Sequence, residues 1–267
     1  MTYETILYEV DDRTAVITFN RPEKLNAISR KMEAELRDAY ARAEADDDVW
    51  TLVVTATGRA FCTGADVDTV RDDGKVPFDG KYLSKHHEWE APQEATPPFR
   101  SMAKPIIVGV NGICCGAGMD LVTTGDIAIA SERAEFFDPH VSIGLVSGRE
   151  MVRVARALPV NAAMRMALLG KHERMSAARA YELGFITEVV EHDALGDRVR
   201  ELAAMVNRNA PLAVRGTRLA IRRGLGLPLY EAELLAEAFR ERNLHTDDAK
   251  EGPRAFLERR DPEWRCE

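Results

Sequence analysis

One stretch of the chain, residues 104–130 (KPIIVGVNGICCGAGMDLVTTGDIAIA), contains the clearest structural signals. Its two apolar runs, 106–110 and 127–130, are bounded by turn-forming residues, which predicts two buried strands. Between them lies a glycine-rich segment with Gly112, Gly116 and Gly118, followed by an apolar helix that Gly125 ends. The stretch therefore predicts the order strand, glycine-rich turn, helix, strand.

This order is suited to a site that binds or reacts with a ligand. Glycines allow a backbone to approach a ligand closely. The first turn of a helix presents N–H groups without intrahelical partners and a partial positive charge. Such donors bind anions and stabilise an oxyanion that develops during a reaction. We therefore expect a site around residues 112–118.

The composition of the whole chain excludes several classes of protein. A length of 267 residues fits one large domain or one domain with a smaller appendage. The net charge of −8 argues against nucleic-acid binding, and no apolar run approaches the roughly 20 residues of a membrane span. The cysteines form no Cys-x-x-Cys pair, and no basic signal-peptide region is visible. We expect no bound metal, reduced thiols and a cytoplasmic location.

The remaining sequence predicts an α/β fold. Runs 6–10 and 15–19 predict a hairpin, and run 50–55 predicts a strand parallel to its predecessor, because a helix connects the two. Ser29 is placed to cap that helix, whose apolar face would consist of Met32, Leu36, Ala39, Tyr40 and Ala43. Further helices are predicted at 151–157, 161–169, 177–183, 195–207, 212–223 and 229–242. We expect a core at 1–195 that contains the site, and a helical C-terminal region at 196–267.

Two classes of enzyme fit glycine-rich turns that follow strands. The spacing of Gly112, Gly116 and Gly118 matches the G-x-x-x-G-x-G pattern of short-chain dehydrogenases, but this match is weak by itself. The pattern lies in mid-chain rather than after the first strand, and no Tyr-x-x-x-Lys follows it. The other class performs acyl chemistry, in which two backbone N–H groups stabilise one oxyanion. A second glycine-bearing turn, at 58–67, could supply the second donor.

Several separated motifs favour acyl chemistry, because together they resemble the enoyl-CoA hydratase/isomerase (crotonase) superfamily. The resemblance covers nearly the whole chain, in the right order. The motifs are RPEKLNA at 21–27, AFCTGADV at 60–67, Lys104-Pro105 through Asn111-Gly112, Gly116-Ala117-Gly118, and DDAKEGPRAFLERR at 247–260.

The resemblance implies a fold, an assembly and a ligand. The fold would be a spiral of ββα units in two nearly perpendicular sheets, with C-terminal helices that build a homotrimer or a hexamer. The family's oxyanion donors match the backbone N–H groups of Ala65 and Ala117, where a typical member has Gly at the second position. An acyl-CoA thioester would bind there without a further cofactor. The resemblance places the rest of the CoA along Lys24, Leu25, Thr63, Asp66 and Val67, with Phe256 and Arg259 closing over it.

The family's two catalytic glutamates match Asp120 and His140, and neither is Glu here. Asp120 keeps a carboxylate on a shorter side chain. His140 replaces a carboxylate by an imidazole, whose ordinary pKa is about 6.5, so it could act as a general base near neutral pH. Structural roles are also open: Asp120 could stabilise the helix dipole, and His140 could bond to the backbone at the edge of the core.

We therefore expect an acyl-CoA enzyme that stabilises a thioester oxyanion or enolate, with hydration or dehydration of an enoyl-CoA as the leading reaction. Thioester hydrolysis or C–C bond cleavage, with His140 as the base, is the enzymatic alternative. A family member that only binds CoA esters is the non-enzymatic alternative. Acid–base-capable side chains at both catalytic positions argue against that last interpretation.

Overall fold

The computed structural model of the protein describes residues 2–66 and 102–267. Val67, His86 and His87 lie outside the described residues. The strands are β1 (Ile6–Asp11), β2 (Thr14–Phe19), β3 (Thr51–Ala56), β4 (Ala60–Cys62), β5 (Ile106–Val110), β6 (Ile113–Cys115), β7 (Ile127–Ser131), β8 (Glu135–Phe137), β9 (Met175–Ser176) and β10 (Glu188–Val190). The α-helices are α1 (Arg30–Ala45), α2 (Ala117–Thr124), α3 (Arg149–Ala157), α4 (Val160–Leu169), α5 (Ala177–Glu182), α6 (Leu195–Asn207), α7 (Pro211–Gly224), α8 (Leu229–Leu244) and α9 (Asp247–Glu258).

The larger sheet has the strand order β1-β2-β3-β5-β7-β10. Strands β1 and β2 form the predicted antiparallel hairpin, and β3 is parallel to β2, as expected for strands joined by a helix. Helix α6 covers one face with Leu195, Val199 and Ala203. The central strands are buried on both faces, which explains why their sequences are continuous apolar runs rather than alternating patterns.

Helix α1 begins where the sequence predicts. The Ser29 hydroxyl accepts the Met32 N–H at 3.2 Å and caps the helix. The buried residues of α1 are the predicted face: Met32, Leu36, Ala39, Tyr40 and Ala43. At the other end, the buried Lys104 ammonium donates to the carbonyls of Ala43 and Asp46 at 2.7 and 2.6 Å. Lys104 thereby fixes the end of α1 beside the start of β5.

A second, smaller sheet has the order β4-β6-β8-β9. The sequence interpretation assigned residues 112–118 to one glycine-rich turn, and this was wrong for Ile113–Cys115, which form β6. Strands of three residues are too short to show a period-2 pattern, so only the glycines around them were visible. Strands β4, β6 and β8 are mutually parallel, so their carboxyl ends meet at one edge of the sheet.

The C-terminal helices pack differently from α6. Helices α7 and α8 form a hairpin, and α8 buries none of its residues. The hairpin is tied to the core through Asp126, whose two carboxylate oxygens accept from Arg218 at 2.5 Å and Arg222 at 2.9 Å. The division of the chain at residue 195 stays a prediction. No helix in the described residues has the length and apolar character needed to cross a membrane.

Candidate active site

Two turns follow the carboxyl ends of β4 and β6 and pack against each other. Gly64 and Gly116 have φ values of +92° and +53°, which favour glycine. A Cβ added to Gly64 would lie 3.7 Å from the Ala117 nitrogen. A Cβ added to Gly116 would lie 3.3 Å from the Gly64 Cα. The backbones therefore approach closely only because both residues lack a side chain.

These turns bring the amides of Ala65 and Ala117 into one region. Ala65 forms a parallel bridge with Ile28, in which Gly64 and Asp66 make the hydrogen bonds, so the N–H of Ala65 points away from Ile28. Ala117 is the first residue of α2, where backbone N–H groups have no intrahelical acceptor. Within residues 2–66 and 102–267, neither amide has a hydrogen-bond acceptor. Two partly exposed donors are thus available for one ligand oxygen.

The loop at residues 21–28 is held beside the β4 turn by Asn26. Its side chain is fully buried, accepts the Arg21 N–H at 2.8 Å, and donates to the carbonyls of Thr57 and Ala60 at 2.9 and 2.8 Å. Leu25 and Asn26 adopt φ values of +52° and +55°. The three hydrogen bonds of Asn26 therefore maintain an unusual backbone shape in the segment that contains Lys24 and Leu25.

Two further contacts join this loop to the β4 turn. The Thr63 hydroxyl donates to the Leu25 carbonyl at 3.2 Å. Arg21 forms a 2.9 Å ion pair with the buried Asp66. Lys24, Leu25, Thr63 and Asp66, which the resemblance assigns to CoA, are therefore brought together. Asp66 is engaged with Arg21, so its role in this chain includes positioning the loop.

Asp120 lies in the first turn of α2, three residues after Ala117, and is 5% exposed. Its Oδ1 atom lies 3.8 Å from the Nη1 atom of Arg153 on α3. Helix α3 packs against α2, so a cation stands beside the carboxylate. Asp120 is thus placed next to one of the two amide donors, and its catalytic role stays a prediction.

His140 follows β8 at the same sheet edge and begins a short 3-10 turn, His140–Ile143. A Cβ on Gly116 would lie 3.8 Å from the His140 Cε1 atom, so the ring borders the Gly116 turn. The Nδ1 atom lies 2.5 Å from Oδ1 of the buried Asp138. This hydrogen bond raises the pKa of His140 above its ordinary value, although partial burial acts in the opposite direction.

Three residues of this region, Asp138, Glu150 and Arg153, were missed by the sequence analysis. Glu150 is buried in the first turn of α3, one turn before Arg153. Its negative charge also raises the pKa of His140. The signal for Asp138 was its spacing of two residues from His140 directly after a strand; Glu150 and Arg153 gave no comparable signal, because charged residues on a helix usually face solvent.

The cysteines near the site belong to the core. Cys62, Cys114 and Cys115 are buried, and Cys62 and Cys114 are neighbours across β4 and β6. Burial raises the pKa of the Cys62 and Cys115 thiols to about 12 and that of Cys114 well above its ordinary value. They are therefore not nucleophiles at neutral pH and act as packing residues of the core.

Phe256 and Arg259 lie at the end of α9, away from this group in the sequence. Phe256 is 83% exposed, and Arg259 ends the helix with a φ value of +55°. Among the described residues, no hydrogen bond or ion pair joins either of them to the turns after β4 and β6. The described chain therefore brings together the oxyanion and catalytic positions, but not these two predicted CoA contacts.

Comparison with known proteins identifies what this arrangement is similar to. The family described as enoyl-CoA hydratase/isomerase matches residues 9–267. (E)-Benzylidenesuccinyl-CoA hydratase from Thauera aromatica is 33% identical, with 97% of this chain and 98% of that protein covered. Mevalonyl-coenzyme A hydratase from Aspergillus fumigatus is also 33% identical, with 94% and 90% covered. A crystal structure of an enoyl-CoA hydratase/isomerase from Mycobacterium paratuberculosis is 67% identical, covers both chains fully and has a TM-score of 0.92.

Proposed function

Because this chain belongs to the enoyl-CoA hydratase/isomerase family, we propose that it adds water to the double bond of an enoyl-CoA and catalyses the reverse dehydration. The observation that carries this proposal is the pair of amide donors at Ala65 and Ala117. In an enoyl thioester, attack of water on the β-carbon moves negative charge onto the carbonyl oxygen. Two preorganised N–H donors stabilise that charge in the transition state.

The acid and the base are His140 and Asp120. In the hydration direction, the Asp120 carboxylate removes a proton from water while the water oxygen bonds to the β-carbon. The electrons of the double bond form an enolate, whose oxygen accepts from the Ala65 and Ala117 amides. The His140 imidazolium then gives a proton from Nε2 to the α-carbon. After the reaction Asp120 is protonated and His140 is neutral. Transfer of this proton from Asp120 to His140 restores the starting state, so the pair needs only one proton between them.

The direction of proton transfer differs from the sequence expectation, in which His140 is the base. The hydrogen bond to Asp138 favours the protonated imidazole, which is the form that an acid requires. Asp120 has a cation beside it at 3.8 Å and is suited to the carboxylate form that a base requires. The same single proton serves the reverse reaction with the roles exchanged.

We assign the CoA portion to the loop at 21–28 and the β4 turn, where Lys24 offers a positive charge and Leu25 and Thr63 lie in contact. Val67, which the resemblance also assigns to CoA, lies outside the described residues. Phe256 and Arg259 would contribute from the C-terminal region, either of the same chain or of a second copy. The reaction needs no cofactor besides the CoA thioester itself, since the proton transfers and oxyanion stabilisation come from the chain.

The assembly we propose is a homotrimer, or a hexamer of two trimers, in the cytoplasm. The hairpin of α7 and α8 exposes large apolar side chains that a second copy would cover, among them Leu225 at 72%, Leu229 at 75% and Tyr230 at 68%. Sedimentation at micromolar concentration tests this, and a monomer would argue against it.

Loss of the enoyl-thioester absorbance on addition of the protein tests the proposed activity. His140→Gln and Asp120→Asn should each lower kcat on the order of 10²–10⁴-fold, the usual range for one acid–base group. KM should change little, because the thioester oxygen is held by backbone amides. If both variants retained wild-type kcat, the proposed acid and base would be wrong.

A further inference from the structure

We propose that Asp138 is a positioning residue of this site, which holds the His140 ring through Nδ1 and so directs Nε2 to the substrate. The proposal rests on the proposed function in one respect, namely that His140 is the acid of the hydration reaction. The contact between the two side chains is a property of the chain itself, and can be measured without substrate.

One ring nitrogen of His140 is hydrogen-bonded to Asp138. The carboxylate is fully buried directly after β8, and its Oδ1 atom lies 2.5 Å from Nδ1. Because a carboxylate accepts hydrogen bonds, Nδ1 must carry the hydrogen and Nε2 is the nitrogen that exchanges a proton with the substrate. The Cε1 edge of the ring borders Gly116, beside the amide of Ala117. The neighbouring Nε2 is therefore the nitrogen available to an enolate bound there.

The second oxygen of Asp138 distinguishes it from two structural carboxylates of this fold, Asp126 and Asp248. Both oxygens of Asp126 accept from arginines, and both oxygens of Asp248 accept backbone N–H groups of the C-terminal tail. In contrast, Oδ2 of Asp138 is buried without a hydrogen-bond partner among the described residues. Leaving a buried carboxylate oxygen unsatisfied is unfavourable for folding. Asp138 thus leaves Oδ2 at a cost to folding and uses Oδ1 to bind His140, so orientation of His140 is the role that its contacts support.

The charges around His140 support the same role. Asp138 lies on the β8 side, and Glu150 contributes a second negative charge from α3. On the facing helices, Asp120 is accompanied by Arg153. The hydrogen bond to Asp138 is the largest influence on the His140 pKa and raises it, burial lowers it, and Glu150 raises it more weakly. Removal of the Asp138 charge should therefore weaken proton binding at Nε2 more than removal of the Glu150 charge.

The direct test is an NMR titration of the protein with histidine labelled at Cε1, without substrate. The His140 signal is identified by its loss in His140→Gln. Asp138→Asn should move the His140 titration to lower pH, and Glu150→Gln should move it less. The signal of His192, whose Nδ1 atom lies 3.0 Å from the Ser131 hydroxyl, should be unaffected by either substitution and serves as the control. An unchanged His140 titration in folded Asp138→Asn would overturn the proposal.

Kinetics provide the second test. If His140 is the acid, activity falls at high pH as the imidazolium loses its proton, and Asp138→Asn should move this fall to lower pH. At a pH above both the wild-type pKa and the lowered pKa, kcat should drop about tenfold for every pH unit by which the fall has moved, with KM nearly unchanged. Asp138→Glu should restore part of the loss.

A double variant separates an effect on His140 from an effect on the fold. In a His140→Gln background, Asp138→Asn should have no further effect on kcat, because the residue through which Asp138 acts is already absent. Equal losses in both backgrounds would show that Asp138 acts on the fold rather than through His140.

The two tests also separate this inference from the proposed function. A shifted NMR titration in a protein that does not hydrate any enoyl-CoA would leave the positioning role intact and refute the reaction. An active hydratase whose His140 titration and pH profile are unaffected by Asp138→Asn would refute the positioning role and leave the reaction intact.

Discussion

Gly64 and Gly116 approach so closely that a methyl group on Gly116 would lie 3.3 Å from the Cα atom of Gly64. This contact joins the carboxyl ends of β4 and β6 and brings the amides of Ala65 and Ala117 together. The spacing of the two oxyanion donors thus depends on two residues that have no side chain.

Gly116→Ala should reduce kcat at least tenfold, because the added methyl group displaces the Gly64 turn and separates the two donors. The backbone of residue 116, with φ +53° and ψ −124°, lies in a region that side chains disfavour, which adds a penalty of roughly 1–3 kcal/mol for alanine. Gly184→Ala is the matched control: its φ is +75°, but nothing lies within 4 Å of the added Cβ. The control should also lose stability in thermal unfolding, because its φ is positive, and keep its kcat. Equal kcat in both variants would contradict the proposed spacing requirement.

Asn26→Ala should lower the free energy of unfolding by about 2–4 kcal/mol, since three hydrogen bonds of a buried side chain are lost and two carbonyls are left without a donor. Affinity for CoA esters should fall as well, because the loop at 21–28 loses its anchor. Asn209→Ala, an exposed asparagine that also donates to two carbonyls, should cost much less in the same denaturant titration. Equal losses would show that the Asn26 contacts are not structural anchors.

The sequence was sufficient to predict features with local signals. The apolar face of α1, its Ser29 cap and the helices from α3 to α8 could all be predicted, because helical periodicity and caps extend over many residues. Helix α9 lies within the region 196–267 that the sequence predicts to be helical, but its bounds were not predicted, since it contains Pro253 and few apolar residues. Strands β4, β6 and β8, with three residues each, were also missed.

The candidate site was predictable where a motif marks it and not where only packing creates it. Ala65, Ala117, Asp120 and His140 were predicted from the resemblance of the chain to the family's motifs, and their roles stay predictions. Glu150 and Arg153 come to the site because α3 packs on α2. No local pattern indicates which charged residues such tertiary contacts will bring together.

Stability should depend on pH through His140. Its pKa is higher in the folded protein than the ordinary value of 6.5, so the folded state binds this proton more tightly. The resulting stabilisation is fully present below the unfolded pKa and is lost as pH rises through the folded pKa. The difference in free energy of unfolding between wild type and His140→Gln should therefore be larger at about pH 6 than at about pH 9. His172→Gln, the same change at an exposed histidine, is the comparison, and an equal pH dependence for both would contradict the raised pKa.

Charge reversal at Lys24 and Arg259 together should weaken binding of CoA thioesters and reduce the salt dependence of that binding. The net charge of −8 makes local cations necessary for a ligand with several phosphate charges. Calorimetric titration with a non-hydrolysable acyl-CoA analogue would measure both effects. Reversal of Lys250 and Arg254, two exposed cations on the preceding turns of α9, controls for the change in net charge. Unchanged affinity in the first variant would show that Lys24 and Arg259 do not contribute to CoA binding.

The measurement that tests the central claim most directly is the destination of the water oxygen. The protein is incubated with an enoyl-CoA in water enriched in oxygen-18, and the products are analysed by mass spectrometry. We predict that the label enters a hydroxyl on the β-carbon of an intact CoA thioester, and that His140→Gln and Asp120→Asn slow this incorporation greatly. Label in a free carboxylate, accompanied by release of CoA, would show hydrolysis instead and would contradict the proposed reaction.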